Sequence, residues 1–247
     1  MVVTPVARQS VADQLFNQLL DGILSGELAA ESQLPAEREL ATQAGVNRQA
    51  VREALQRLRQ MDLVEIVHGG GVRVRDWQAS AGLALLPILL VREGRAIDPR
   101  VARSIMELRA TIGADAARCC AERSPAGAAA ELDALVTRME AIESDPSQWG
   151  TLGFDYWEAI VVGADNIAYR LAFNTLRAVA EAVAPLLPGV LGSEWNQRDQ
   201  YRALTEAIKA GHGDEAESLA RTLLGAGVAL VNAVMAATDG PILPPEL

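Results

Sequence analysis

Histidine is almost missing from this chain: there are two in 247 residues, His68 and His212. That argues against a histidine-based metal centre and a Ser-His-Asp triad, both of which need imidazoles brought together. Cysteine is equally scarce. Cys119 and Cys120 are adjacent on a predicted helix and have no CxxC spacing, so they read as small buried side chains of a cytoplasmic protein. Lysine occurs once, at Lys209, and aromatics make up only 4% of the residues. Long apolar runs are also lacking. Leu83–Val91 and Leu223–Ala237 both fall short of the roughly 20 residues that span a bilayer, and the opening MVVTPVARQS has no signal-peptide core. With no nucleophile elbow and no phosphate loop either, the sequence predicts a non-enzymatic protein without a membrane partner.

What is present begins with LPAERELATQAGVNRQAVREALQRL, from Leu34 to Leu58. Pro35 pre-sets φ for a helix whose first turn holds Glu37 and Glu39, where the macrodipole favours acids, and that helix runs to about Ala44. Gly45 supplies a left-handed turn, and Asn47 can cap a second helix. There Val51, Leu55 and Leu58 recur at helical spacing and face inward, while Asn47, Arg48, Gln49, Arg52 and Arg59 lie on other faces, able to reach phosphates and base edges. Alternation over Leu63–His68, the Gly69-Gly70-Gly71 tip and a second alternating run, Val72–Asp76, predict a hairpin carrying Arg73 and Arg75. Upstream, Val11, Leu15, Leu19, Ile23 and Leu24 predict an amphipathic covering helix. Helix, turn, helix and hairpin in this order make a winged helix-turn-helix. Residues 38–75 carry a net charge of +3 on a chain of −10, leaving −13 for the remainder. Such a basic island on an acidic protein suits one face that meets a polyanion while the rest repels it.

These motifs resemble the GntR transcriptional regulators, and within them the FadR-like subgroup. The resemblance rests on the Leu34–Leu58 segment and the wing EIVHGGGVRV. It implies that Arg38, Asn47, Arg48, Gln49, Arg52, His68 and Gly69 lie against double-stranded DNA, with Arg73 beside them on the wing. The family often has threonine or serine where this chain has Asn47, Gln49 and Ala50, a difference that bears on the base sequence preferred.

The rest of the chain reads as an all-α bundle, so the fold class expected is mainly α: a winged helix-turn-helix over 1–78, a helical effector and dimerisation domain over 79–240, and a flexible tail over 241–247. Polar and small residues at Asp76–Gly82 form the joint. Helices are predicted over Pro99–Glu122, from Ser124-Pro125 onward carrying Leu132, Leu135 and Met139, and over Trp149–Val162, Ile167–Ala184, Ser193–Ala210 and Asp214–Ala237, with a loop at Ser144–Ser147. The run Leu83–Val91 reads either as core or as dimer surface.

FDYWEAIVVGADNIAYRLAFN resembles the FadR-like effector helix that ends in an asparagine, here Asn166. Many members hold a divalent metal with an aspartate, a histidine one turn later and two further histidines. The matching positions here are Gly153, Trp157, Tyr201 and Gly225, so the expectation is no metal and no cofactor. The pattern is closer to the fatty-acyl-responsive branch. Arg109, among Ile105, Met106, Leu108 and Ile112, is the leading effector-binding candidate, since a guanidinium reaching an interior needs an anionic partner. Its alternatives are an ion pair with an acid such as Asp155, or an outward snorkel. Tyr156, Trp157, Tyr201 and Asn232 are further lining candidates, against an ordinary place in the core. The function expected is a homodimeric regulator that binds a palindromic operator and answers to an apolar acid such as a fatty acyl-CoA. The alternative effector is a small carboxylate such as a sugar acid or keto acid.

Overall fold

The computed structural model describes residues 10–67, 71–91, 97–142, 146–183 and 197–237, which divide into two compact units, Met1–Leu85 and Leu86–Leu247.

The first unit opens with α1 (Val11–Ser25). Ser10 caps it: the Ser10 hydroxyl accepts from the Asp13 amide, and the Asp13 carboxylate accepts from the Ser10 amide. The Ser10 hydroxyl hydrogen bond and then Arg57 hold the Asp13 carboxyl below its ordinary range. The buried stripe is Ala12, Leu15, Phe16, Leu19, Leu20 and Ile23. Val11, expected on that stripe, is instead exposed and Leu24 half-buried, because Ala12, Phe16 and Leu20 shift the apolar face by a fraction of a turn. α2 (Glu37–Gln43) and α3 (Arg48–Gln60) are joined by a turn in which Gly45 has φ +65°, and Asn47 Oδ1 accepts from the Ala50 amide at 2.8 Å. Val51, Ala54 and Leu58 are fully buried. Arg57 ties α3 to α1, its guanidinium 2.6 Å from Asp13 and 3.9 Å above the Phe16 ring centre.

The wing is a three-stranded antiparallel sheet in the order β1-β3-β2, made of β1 (Gln33–Leu34), β2 (Val64–Val67) and β3 (Gly71–Val74). Its register sets Glu65 opposite Arg73 on one side of β3 and Gln33 opposite Arg73 on the other. The expected hairpin is therefore joined by a strand from the loop before α2. The expected joint at Asp76–Gly82 contains a short helix. Asp76 caps the short α4 (Trp77–Ser80), and the Ser80 hydroxyl donates to the Asp62 and Asp76 carbonyls, which ties this segment to the first unit and carries that unit past residue 78 to Leu85.

The second unit comprises α5 (Leu86–Leu90), α6 (Pro99–Arg123), α7 (Pro125–Ala141), α8 (Pro146–Gly163), α9 (Ile167–Val183), α10 (Arg198–Lys209) and α11 (Gly213–Ala237). Asp98 caps α6, with proline at its first position. Asn166 caps α9, its Oδ1 accepting from the Ala168 amide at 3.0 Å. α6 packs along α11, α8 crosses α6 and α7, and α7 also packs on α10. The main core holds Cys120, Leu132, Met139, Trp149, Tyr156, Tyr201, Leu204 and Leu223. Burial pushes the Cys120 thiol up to about 11, so it stays protonated and inert. A smaller core joins Leu90, Ile97, Ile105 and Val179, with Leu86 and Val91 against it, whereas Leu83 is exposed. Among the described residues no helix is long and apolar enough to cross a membrane.

Candidate DNA face and effector cavity

The exposed edge of α3 is polar because the inward positions repeat every three or four residues, which leaves Asn47, Arg48, Gln49, Arg52 and Arg59 outside. Arg38, on α2, is exposed as well. Charge counting treats all seven arginines of residues 38–75 alike, but the fold does not. Arg57 is spent on Asp13, and Arg75 lies 3.0 Å from Asp62. Arg73 stands 3.1 Å from Glu31 and 3.8 Å from Glu65, and Arg52 Nε donates to Glu37 at 2.8 Å. Among the described residues Arg38, Arg48 and Arg59 have no acidic partner. Exposed pairs of this kind are worth little, so Arg73, whose carboxylates stand at 3.1 and 3.8 Å, can exchange them for phosphate at small cost. The helix therefore presents guanidinium forks and amides along one edge, beside a wing bearing Arg73, the arrangement that docks in a major groove. His68 and Gly69 lie outside the described residues.

In the second unit a cavity of about 120 Å³ is lined by residues of α5, α6, α8, α9 and α11. Its walls are made by side chains such as Ile105, Ile112, Phe154, Phe173 and Leu224, and by Gly113, Gly150, Gly153 and Gly227; at Gly150 and Gly153 the missing side chain leaves room, whereas at Gly113 Leu224 already fills the place of a Cβ. Among the described residues two charged ones line it, Arg109 and Arg177. Arg177 is held by Glu158 at 2.7 Å and Glu181 at 3.1 Å. Arg109 is half-buried on α6, facing Gly227 of α11, where a Cβ would stand 3.9 Å from its Nη1. Trp157 is 5% exposed and on the same wall, and its indole N–H is buried with no hydrogen-bond partner among the described residues.

Of the lining candidates, Arg109 and Trp157 are on the wall, and three are not. Tyr156 and Tyr201 are fully buried in the main core, rings 4.9 Å apart and edge-on, with the Tyr156 hydroxyl 3.0 Å from Thr205 Oγ1. They fill space between α8 and α10. Asn232 is exposed on α11, because the helix turns that position away from its buried neighbour Val231. No sequence signal marks the glycine-lined walls, since glycine within a helix otherwise reads as a weak point. Gly153 and Trp157, two of the positions where metal-binding relatives place ligands, both border this space and offer no metal-binding atom.

Comparison with known proteins matches these two units to two family models: "Bacterial regulatory proteins, gntR family" over residues 11–74 and the FCD domain over residues 104–226. The HTH-type transcriptional regulator Mce2R of Mycobacterium tuberculosis is 38% identical over 224 residues, covering 91% of this chain and 92% of its own. The fatty acid metabolism regulator protein of an Enterobacter species is 27% identical, over 70% of this chain and 71% of its own. A solved structure titled for Lar, which controls the Listeria monocytogenes agr system, has the same fold at a TM-score of 0.55 and 15% identity, over 93% of this chain and all of that one. With its helix-turn-helix head and its FCD effector-binding domain, the chain belongs to the GntR family of transcriptional regulators and is not an enzyme.

Proposed function

We propose that the protein is a homodimer that binds an inverted-repeat operator and is switched by an apolar acid such as a fatty acyl-CoA. Two-fold symmetry in the protein is met by two-fold symmetry in the DNA, one head on each half-site. In each head Arg48, Arg52, Asn47 and Gln49 face the major groove, Arg38 supports them from α2, and the wing brings His68, Gly69 and Arg73 to the backbone. The observation that carries the effector reading is the cavity, whose lining among the described residues is apolar apart from Arg109 and Arg177. An occupant suited to it has a hydrocarbon body and an anionic group, and Arg109 is the anchor we assign to the anion. The distant fatty acid metabolism regulators point the same way. A coupling of about 1–3 kcal/mol between effector and operator changes affinity several-fold to more than a hundredfold, enough for a switch.

The test is to select bound fragments from genomic DNA, then to titrate them in the presence of palmitoyl-CoA, gluconate or pyruvate. Palmitoyl-CoA is expected to change operator affinity at concentrations where the two small acids do nothing. Response to gluconate or pyruvate alone would establish the small-carboxylate alternative, and a wild-type protein with no preference for any fragment would overturn the operator reading.

A further inference from the structure

Arg52 is held in an unusual way for a residue meant to meet a polyanion. It projects from α3 with its side chain 62% exposed, yet its Nε–H donates at 2.8 Å to Oε2 of Glu37, which sits fifteen residues earlier at the start of α2. The carboxylate takes the Nε side of the guanidinium. The terminal Nη1 and Nη2 groups have no partner among the described residues. That free edge is the one a guanidinium uses to form paired hydrogen bonds with the O6 and N7 of guanine.

We propose that Glu37 is a positioning residue that makes Arg52 selective for a base, an inference that rests on the DNA-binding role proposed for α3. Two consequences of the geometry support it. A guanidinium fixed through Nε has already lost the rotamer freedom that docking would otherwise remove, so its Nη edge is presented in one direction. The carboxylate also cancels the charge of Arg52 and repels phosphate, so on a wrong sequence Arg52 adds little. Arg38 and Arg59, which have no such acid among the described residues, supply the unspecific attraction instead. Stability does not explain the pair, because both partners are substantially exposed and such pairs add little to folding.

The experiment uses the full-length protein, a duplex enriched by the wild type from a random pool, and a shuffled duplex of equal length. Affinities are measured by fluorescence anisotropy at several salt concentrations for wild type, E37Q, E37A, R52A and E37A/R52A. E37A is expected to bind the shuffled duplex more tightly, to make the salt slope steeper by about one ion, and to lose about tenfold in discrimination. E37Q, whose amide oxygen can still accept from Nε, should recover part of that discrimination while keeping the steeper slope. In the R52A background E37A should leave discrimination unchanged, the signature of an effect carried by Arg52. Equal discrimination by wild type and E37A, or an equal loss with and without Arg52, overturns the inference while leaving the operator reading intact. If the wild type enriches no sequence at all, the operator reading fails and this inference goes with it.

Discussion

Two glycines on the cavity wall should respond in opposite ways to the same methyl group. Gly153, inside α8, has negative φ, and a Cβ built there would meet only Trp149 Cζ3 at 3.7 Å and Cε3 at 3.9 Å, ordinary contact distances. Replacing glycine by alanine in a helix interior gains about 1 kcal/mol, and an apolar methyl seated against the indole adds up to about 0.8 kcal/mol. Gly153→Ala is therefore expected to stabilise the second unit by about 1–2 kcal/mol, a rise in Tm of roughly 2–8 °C. Gly113, inside α6, gains the same helix propensity, but its Cβ would stand 2.4 Å from Leu224 Cδ1, and Leu224 is buried in the seam between α6 and α11. Overpacking of this kind costs about 1–3 kcal/mol, which cancels the gain or exceeds it. Scanning calorimetry should place Gly153→Ala above wild type and Gly113→Ala at or below it. Both methyls border the cavity, so Gly153→Ala should also blunt the response to palmitoyl-CoA while leaving operator affinity without effector unchanged. A lower Tm for Gly153→Ala, or an equal gain at both positions, would refute the wall geometry.

Arg48→Ala should weaken binding to the selected operator by about 1–3 kcal/mol and relax preference at one base position, whereas Arg73→Ala should act alike on all sequences, a difference that anisotropy on matched and mismatched duplexes will read. Tyr156→Phe is expected to cost about 1 kcal/mol in urea denaturation, because Thr205 keeps its bond to the Tyr201 carbonyl at 2.9 Å; a loss above 3 kcal/mol would contradict that. The Tyr169 hydroxyl, and after it Arg118, hold the Asp115 carboxyl below its ordinary value of 3.8, so this contribution is complete above that pH and is lost as pH falls through the lowered folded value. Tyr169→Phe should therefore be less stable than wild type at neutral pH, and the two stability curves should converge below about 3.8. Parallel curves from neutral to acid pH would show that Asp115 is not the group concerned.

Local signals wrote most of this fold into the sequence. Caps and periodicity mark α6, α7, α9 and α11 to within a residue or two at the ends described, and Gly45 with Asn47 marks the turn before α3. What stayed hidden was decided by distant partners. β1 is two residues long and has no alternation of its own, and it exists because Gln33 and Leu34 find β3 some forty positions later. The phase of α1 departs from the expected one because Ala12, Phe16 and Leu20 form a second buried row beside Leu15, Leu19 and Ile23, which leaves Val11 outside. At the DNA face, composition supplied the sign of the charge but not its disposition, since Arg57 and Arg75 are consumed by Asp13 and Asp62. In the effector domain Arg109 and Trp157 were legible, while Tyr156 and Tyr201 could not be told from wall residues, because an aromatic at helical spacing looks the same in a core and beside a void.

The lacing of the wing has a consequence for how the head comes apart. The Glu31 amide donates to the Val74 carbonyl, the Val74 amide donates back to Ser32, and the Arg75 amide donates to Leu63, so β3 is stitched to chain on both sides of the two reading helices. None of these links can open singly without loosening the segment that holds α2 and α3 in place. The hydrogen-bonded amides of Val74 and Arg75 should thus lose protection together with those of Val51 and Leu58, so that deuterium uptake at the wing reports the melting of the whole reading head.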